Sequence, residues 1–456
     1  MISNSQFRRV VFCTWLGCAS LLALTSPAVA AQAVDWQRTA DEALQTLIQY
    51  IRINTTNPPG DTRKTADLLT GILQGSGLKV TRYESAPGRV MLYARLPATT
   101  SPAAGKPIVL LHHMDVVPAD ASRWPVDPFA AVVKDGLIWG RGAIDMKGLG
   151  VIHLYTFLTL LRQNVPRSRE VIFLAVPDEE AGGGLGTRFL LDKHYAELDP
   201  EYVLDEGGCG SRDLYTAGRL VYGISVAEKK IIWLKIIAKG VAGHGSQPHD
   251  ENPNDRLLRA LHRLFAEPLP AAKLAVVDAM RQQLGTLAQN KYARAIQEST
   301  IALTTLRSGV GEPPKVNVIP SVAEATVDCR VMPGTSSAMW LAELRRRLAD
   351  PTLELIVTYE SDDPIVTPTD TPLFRALAAS IKRTNPEAIV VPTLVPFGTD
   401  SNAFRPRGVK SYGLFPAILP AELVASMHSD AERLPIAELG KGMRILFEAL
   451  RDTLHP

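Results

Sequence analysis

The chain has 456 residues and a formal net charge of +2, with 46% hydrophobic and 21% charged residues. This composition excludes a disordered chain, and the near-neutral charge excludes a strongly basic nucleic-acid-binding protein. At about 150 residues per domain, the length predicts two or three domains.

The first 30 residues have the features of a secretory signal peptide. Arg8 and Arg9 precede a mostly apolar run, and Ala28-Val29-Ala30 has the small-x-small form of a cleavage site. The alternative is a single membrane anchor, but the apolar run is short for a span of about 20 residues. We therefore expect cleavage after Ala30, a periplasmic or secreted mature protein, and no membrane association after cleavage.

Cleavage would leave Cys209 and Cys329 as the two cysteines of the mature chain. They can form at most one disulfide, so the mature protein is not a disulfide-stabilised scaffold. The sequence leaves open whether they pair.

Short apolar strands alternate with helical segments between residues 35 and 222. Helices are predicted at 35–53, 65–75, 146–163 and 185–193, and strands at 79–83, 90–96, 108–111, 171–176 and 202–204. This alternation predicts an α/β sheet. Polar clusters directly follow three strands, at 112–115, 177–180 and 205–208. Because ligands of such sheets bind beyond the carboxyl ends of the strands, these clusters form the candidate active site.

The pattern changes after about residue 222. A long strand is predicted at 229–239, an amphipathic helix at 254–265, and a strand with alternating apolar and polar residues at 324–331. These elements predict a small α+β domain inserted into the first domain. Helix–strand alternation resumes from about residue 337 and ends with a helix near 436–453.

The polar clusters contain the donor groups of a metal centre. The candidates are His113, Asp115, Asp145, Glu179, Glu180, Asp205, Glu206 and His428. Carboxylates placed close together raise one another's pKa unless a cation is present. Nitrogen and oxygen donors without thiolates suit zinc in a hydrolytic site, with manganese or cobalt as alternatives. Each group alone has an ordinary interpretation as a loop histidine, a solvated glutamate pair, a helix N-cap or a turn, and their order and strand-end positions favour the metal site.

Eight motifs follow one another along the chain. They lie at 111–118, 140–148, 177–183, 240–246, 317–320, 328–330, 398–400 and His428. Together they resemble the motifs of the aminoacylase, carboxypeptidase S and carboxypeptidase G family of two-zinc metallopeptidases, peptidase family M20. The resemblance extends over about residues 36–453.

This resemblance implies a zinc-peptidase-like α/β catalytic domain with a mixed sheet flanked by helices. An inserted α+β domain would serve as a lid and for dimerisation. The implied divisions are a signal peptide at 1–30, a first catalytic-domain segment at 31–222, the inserted domain at 223–336, and a second catalytic-domain segment at 337–456.

The resemblance also implies a role for each metal-site residue. His113 and Glu206 would bind the first zinc ion. Glu180 and His428 would bind the second, and Asp145 would bridge the two. Cobalt or manganese could replace zinc.

Neighbouring residues would support the metal site. Glu179 would be the general base that takes a proton from the water between the ions and passes it to the leaving nitrogen. Asp115 would orient His113 from outside the coordination sphere. Asp205 stays open as an alternative ligand to the adjacent Glu206.

Substrate contacts would come from the inserted domain. Arg330 would hold a substrate carboxylate with two hydrogen bonds, and Asn317 would contact the same substrate. His244 would reach the active site of the partner in a homodimer and stabilise the oxyanion of the tetrahedral intermediate. Without the resemblance, His244 is a loop histidine and Arg330 a solvated side chain. The family also leads us to expect a cis peptide bond between Asp145 and Met146.

These expectations describe a zinc-dependent hydrolase that cleaves an amide or peptide bond next to a free carboxylate. It would be a carboxypeptidase, a dipeptidase or an N-acyl-amino-acid amidohydrolase, with small peptides or N-acyl amino acids as substrates and no nucleic-acid partner. Two alternatives stay open, a deacylase of a specialised metabolite and a non-catalytic metal-bearing binding protein. The presence of Glu179 beside a full ligand set argues against the second.

Overall fold

The computed structural model describes Met1 and residues 33–269 and 273–455. Apart from Met1, the predicted signal peptide and its cleavage site lie outside the described residues. The fold is that of the unit beginning at Val34. Among the described helices, none combines the length and the hydropathy needed to cross a membrane.

Helices and strands alternate through most of the described residues. The α-helices are α1 (Trp36–Arg52), α2 (Arg63–Gly75), α3 (Lys147–Arg162), α4 (Thr187–Leu198), α5 (Pro253–Ala266), α6 (Ala275–Leu284), α7 (Lys291–Ala295), α8 (Ser337–Leu348), α9 (Pro372–Thr384), α10 (Ser401–Phe404), α11 (Ala421–Val424) and α12 (Ala437–Leu454). The strands are β1 (Val80–Glu84), β2 (Val90–Leu96), β3 (Ile108–His113), β4 (Val132–Lys134), β5 (Leu137–Trp139), β6 (Val171–Val176), β7 (Tyr202–Ser211), β8 (Val221–Glu228), β9 (Lys230–Lys239), β10 (Gly243–His244), β11 (Thr300–Ser308), β12 (Val318–Ile319), β13 (Val322–Val331), β14 (Glu354–Glu360), β15 (Ile389–Val395), β16 (Lys410–Ile418) and β17 (Arg433–Pro435). Every helix and strand that the sequence predicts before residue 205 is present, although several extend further than predicted.

Eight strands form the main sheet, in the order β1-β2-β6-β3-β7-β16-β8-β15. Neighbours from β6 to β16 run parallel, whereas β1 and β2 pair antiparallel at one edge. Successive side chains of β3 point to opposite faces, so that Ile108 and Leu110 join one core while Val109 and Leu111 join the other. Because both faces are buried, such strands read as continuous apolar runs in the sequence.

Helices cover both faces of the main sheet. Helices α1, α3, α9 and α12 lie on one face, and α4 and α10 lie on the other. Helix α1 begins where the Asp35 side chain accepts a hydrogen bond from the Arg38 N–H at 3.0 Å. Helix α9 begins with Pro372 after the Thr371 cap, which accepts from Phe374 N–H. The predicted α/β class, with a mixed sheet flanked by helices, is confirmed.

A second, antiparallel sheet has the order β11-β13-β9-β14. Helices α5 and α8 cover one of its faces and form a separate core with β9 and β13. The alternation predicted for 324–331 is present, because Ala325, Val327 and Cys329 are buried in this core. Half-covered antiparallel sheets of this kind show a two-residue period in sequence.

The limits predicted for the inserted domain stay a prediction, and two features bear on where its residues lie. Strand β14 belongs to the second sheet and helix α8 packs on its core, although both follow residue 336. Helix α6 lies inside the predicted range but packs on the core of the main sheet through Val277 and Met280.

The two cysteines of the described chain do not form a disulfide. Cys209 lies in β7 in the main core, and Cys329 lies in β13 in the core of the second sheet. Burial raises the pKa of each thiol to about 12, so neither is a reactive thiolate.

Candidate active site

The carboxyl ends of three neighbouring parallel strands meet at one edge of the main sheet. His113 is the last residue of β3, and Glu206 lies in β7 beside it. Glu179 and Glu180 follow β6 on the other side and begin a short 3-10 helix, Glu179–Ala181. The sheet order therefore brings together side chains from the three polar clusters predicted from the sequence.

Asp145 lies at the centre of this group. It precedes α3, and its peptide bond with Met146 is cis, as the resemblance led us to expect. One carboxylate oxygen is 3.0 Å from His113 Nε2, and the other is 3.0 Å from His428 Nε2. His428 comes from the segment after α11 and has a positive φ of 61°. The two imidazoles thus face opposite oxygens of one carboxylate.

The remaining carboxylates lie on either side of Asp145. Glu206 Oε1 is 3.9 Å from His113 Nε2, and Glu180 Oε2 is 3.4 Å from His428 Nε2. Two sets of side chains have donor atoms within 4.8 Å of one another: the first is His113, Asp145 and Glu180, and the second is His113, Glu179 and Glu206. His428 adds a nitrogen donor at the edge of the first set.

The protonation of these groups reflects their crowding. Burial raises the pKa of the Glu179 and Glu206 carboxyls well above their usual range, and neighbouring carboxylates add to both shifts. Burial acts in the same direction on Asp145, but hydrogen bonds from His113 and His428 hold its pKa below the usual range. Carboxylates this close need a counter-charge to be ionised together, and a divalent cation would supply it.

The donor set fits a metal site. Glu180 Oε1 is buried without a hydrogen-bond partner among the described residues, and a polar atom in that position is normally satisfied. Imidazole nitrogens and carboxylate oxygens without a thiolate are the donors of hydrolytic zinc sites. The residues present therefore fit a metal site around Asp145.

Asp115 is buried and holds the backbone of the glutamate turn. Its carboxylate accepts hydrogen bonds from Glu179 N–H at 3.2 Å and Glu180 N–H at 3.3 Å, and also from Asn57 Nδ2 at 2.7 Å. His113 Nδ1 lies 2.9 Å from the main-chain oxygen of Asp115 and 3.7 Å from its carboxylate. Asp115 therefore contacts His113 mainly through its backbone, while its side chain orients the glutamates.

Asp205 is held by hydrogen bonds and belongs to neither of the two sets of metal-site donors. Its side chain accepts hydrogen bonds from Ser401 N–H at 2.9 Å and Ser401 Oγ at 2.8 Å, and from Glu206 N–H at 2.8 Å. Both carboxylate oxygens of Asp205 thus accept hydrogen bonds from backbone N–H groups or from the Ser401 hydroxyl. Of the two adjacent residues, Glu206 is the one that approaches His113.

A cavity of about 410 Å³ opens between this edge of the main sheet and the second sheet. Its polar floor includes Asp145, Glu179, Glu180 and Glu206. Its opposite wall comes from β9, β13 and β14 and includes Trp233, Arg330 and Tyr359. A volume of this size lies in the range of small-molecule sites.

Two aromatic rings form one section of the opposite wall. The ring centroids of Trp233 and Tyr359 are 4.7 Å apart, and Trp233 is 41% exposed. A β-carbon added at Gly182 would lie 3.3 Å from the Tyr359 ring, so glycine lets the turn after Glu180 lie close beneath the aromatic side chain. Phe397 extends the apolar lining.

The predicted substrate residues fall in two places. Arg330 lines the cavity, where Asp328 orients its guanidinium through contacts of 2.9 to 3.2 Å. His244 and Asn317 do not line the cavity and are exposed together where β10 pairs with β12. Gly245 N–H donates to the Asn317 carbonyl at 2.9 Å, and the Ser246 hydroxyl lies 2.7 Å from His244 Nδ1.

Sequence reasoning missed a buried ion pair next to the site. Glu432 is 0% exposed and Arg141 is 1% exposed, and Arg141 Nη1 donates to Glu432 Oε2 at 2.7 Å. Glu432 also accepts hydrogen bonds from the backbone beside Asp145. Nothing distinguishes Glu432 from a surface glutamate in the sequence, whereas Arg141 falls inside a recognised motif.

Comparison with known proteins agrees with this geometry. The model of peptidase family M20/M25/M40 matches residues 109–452. The chain is 27% identical to human aminoacylase-1 over 403 residues, covering 87% of this chain and 91% of the relative. It is 28% identical to human N-fatty-acyl-amino acid synthase/hydrolase PM20D1 over 378 residues, covering 76% and 74%.

Solved structures share the fold. The M20 family metallo-carboxypeptidase Sso-CP2 from Sulfolobus solfataricus matches with a TM-score of 0.72 at 20% identity, covering 91% of this chain and 99% of that one. Human carnosine dipeptidase 1 matches with a TM-score of 0.66 at 16% identity, covering 92% and 98%. The chain belongs to peptidase family M20/M25/M40 and is a hydrolase that acts on amide or peptide bonds.

Proposed function

We propose that this protein is a zinc-dependent hydrolase that cleaves an amide or peptide bond beside a free carboxylate. The observation that carries the proposal is the arrangement around Asp145, where two imidazole nitrogens face opposite oxygens of one carboxylate at the floor of a cavity. Substrates of this class are short peptides that are cleaved at their C-terminus, dipeptides and N-acyl amino acids. Cobalt or manganese are alternatives to zinc, because they accept the same donors.

The ligand set divides between the two sides of Asp145. His113 and Glu206 would hold one ion, Glu180 and His428 the other, and Asp145 both. The chemistry that the ions supply when bound is polarisation of the scissile carbonyl and activation of water.

Glu179 would be the general base. Its carboxylate lines the cavity next to the ligands, and the described residues offer it no hydrogen-bond partner. It is therefore free to take a proton from the attacking water and to deliver it to the leaving nitrogen. Asp115 would support this step by holding the backbone N–H groups of Glu179 and Glu180.

The cavity wall supports recognition of an amphiphilic substrate. Arg330, oriented by Asp328, would bind the free carboxylate, because a guanidinium pairs with a carboxylate through two parallel hydrogen bonds. The aromatic pair Trp233 and Tyr359 would contact an apolar side chain or acyl group.

A homodimer would complete the site. Among the described residues, strand β11 pairs with β13 on one side only, and it exposes Leu303 and Leu306, which are 43% and 51% exposed. His244 and Asn317 lie outside the cavity of their own chain, so they are available to a partner's cavity. There His244 would stabilise the oxyanion and Asn317 would contact the substrate.

We further propose that the protein works in the periplasm or outside the cell after removal of residues 1–30. The support is the basic and apolar pattern of these residues and the small-x-small site at Ala28-Val29-Ala30. Mass spectrometry of the N-terminus of the exported protein, isolated from an expression host with a secretory pathway, tests this. An N-terminus other than residue 31 would contradict the cleavage site.

Hydrolysis of a paired substrate panel tests the main proposal. N-acyl amino acids and dipeptides are incubated with the zinc-loaded protein, and each is matched with its C-terminal amide. We expect cleavage of free-carboxylate substrates only, lost with a chelator and regained with zinc. Equal cleavage of the amides would contradict recognition of the carboxylate, and zinc binding without any cleavage would favour a binding protein.

A further inference from the structure

Two segments that carry candidate ligands adjoin the same three-stranded sheet, which has the order β17-β5-β4. Strands β5 and β17 pair antiparallel, with Arg433 opposite Trp139. The segment after β5 leads to Asp145, and the segment before β17 contains His428. Gly140 N–H donates to the Glu432 carbonyl at 3.1 Å, which continues the pairing beyond the strands.

The Glu432 side chain holds the first of these segments at four points. Its Oε1 accepts hydrogen bonds from the N–H groups of Ile144 at 2.8 Å and Asp145 at 3.0 Å. Its Oε2 accepts from Gly142 N–H at 2.9 Å and from Arg141 Nη1 at 2.7 Å. All acceptor positions of this buried carboxylate are thus directed at the backbone and side chain next to the bridging aspartate.

Arg141 connects back to the second segment. Its Nη2 donates to the Ser429 carbonyl at 2.9 Å, one residue after His428. Its guanidinium also lies over the Trp124 ring, 5.2 Å from the centroid. The pair therefore has contacts on both ligand-bearing segments, although neither side chain lines the cavity.

We propose that Glu432 and Arg141 are positioning residues that set the separation of Asp145 and His428, and thereby the affinity of one ion of the pair. Of the residues that would hold one ion, Asp145, Glu180 and His428, the first and the last lie on the two segments that the pair joins. The other ion would be held by His113 and Glu206, which lie on strands of the main sheet, together with Asp145. Loss of the pair weakens the first ion more than the second.

This inference rests on the proposed two-ion site and is tested with Glu432→Gln in the full chain. The amide group places N–H donors where two N–H donors already point, so some of the interaction becomes repulsive. Zinc affinity is measured for each ion by competition with a chromophoric chelator, and cobalt substitution reports each site by its visible spectrum. Groups outside the coordination sphere commonly contribute about 10- to 100-fold to metal affinity, so we expect a loss of this size for the ion at Glu180 and His428 and a smaller loss for the other.

Matched variants separate positioning from general destabilisation. Glu201→Gln removes contacts with Arg169 and Lys410 at the amino end of β7. It is expected to leave the zinc affinities of both ions unchanged. Arg141→Lys keeps the charge but not the two-pronged contact with Glu432 and Ser429, and is expected to weaken the same ion to a smaller extent. If Glu432→Gln does not fold, the Arg141→Lys measurement decides.

A double-mutant cycle with His428→Ala provides the second readout. If Glu432 acts through His428, its substitution has a smaller effect once the imidazole is gone. Equal weakening of both ions, no weakening of either, or full additivity in the cycle would overturn the inference. Failure of the wild-type protein to bind two ions would instead contradict the proposed function.

Discussion

Glu179→Gln separates the proton-transfer role of one glutamate from the metal-binding role of its neighbour. The described residues offer the Glu179 carboxylate no hydrogen-bond partner, and its N–H keeps the 3.2 Å contact with Asp115. The glutamine amide at position 179 therefore removes no contact that holds the short helix Glu179–Ala181 in place. What it removes is the ability to accept a proton from water.

The expected loss follows from that single function. A positioned general base contributes about 10²- to 10⁴-fold to a rate, equivalent to about 3 to 5 kcal/mol of activation free energy. We expect kcat to fall by this factor, while zinc stoichiometry and the free energy of unfolding stay at the wild-type values. Steady-state kinetics on the best substrate of the panel, with metal analysis of the same sample, makes the measurement.

Glu180→Gln is the matched control one residue away. Its carboxylate lies 3.4 Å from His428 Nε2 on the second-ion side, so we expect weaker zinc binding and activity that recovers partly at high zinc concentration. A Glu179→Gln protein with full metal content and more than a tenth of wild-type kcat would refute the reasoning. So would loss of zinc from Glu179→Gln alone.

Three further changes test other regions of the structure. Arg330→Lys should raise KM for free-carboxylate substrates and lower kcat/KM about 10- to 100-fold, since charged hydrogen bonds contribute about 1.5 to 3 kcal/mol; an unchanged KM would argue against the carboxylate contact. Mixing His244→Ala chains with Glu179→Ala chains should restore partial activity in heterodimers, and absence of rescue would count against a shared site. Leu344→Ala, in the core of the second sheet, should lower the free energy of unfolding by about 2 to 5 kcal/mol in denaturant titrations, whereas Leu258→Ala, at 53% exposure, should change it little.

Ligands at the ends of strands could be predicted because strand order constrains them. His113, Glu180 and Glu206 each follow or end an apolar run that is recognisable in the sequence. Parallel strands in one sheet bring such ends to the same edge, so alternation of strands and helices was enough to predict that these side chains meet. The alternating pattern of 324–331 likewise predicted which face of β13 is buried.

Contacts between distant loops could not be predicted in the same way. His428 reaches Asp145 only through the pairing of β17 with β5, and each of these strands is three residues long. Strands of that length have no detectable period. The resemblance, rather than the pattern of residues, is what selected His428 before the fold was known. The direction of Asp205 was also undetermined, because adjacent carboxylates at a strand end differ only in which face they point to.

The small sheet β17-β5-β4 therefore belongs to the functional architecture although it lies outside the main sheet. Ile138 and Leu434 are both 0% exposed and pair directly, so packing holds β5 against β17 before either segment reaches a ligand. The backbone hydrogen bond from Gly140 to Glu432 and the Arg141–Glu432 ion pair then extend the contact between the two segments toward Asp145. A site built in this way has one half defined by the main sheet and one half defined by a three-stranded sheet with few residues. We therefore expect an ion held on the His428 side to be more sensitive to changes in the Arg141–Glu432 pair than an ion held on the His113 side.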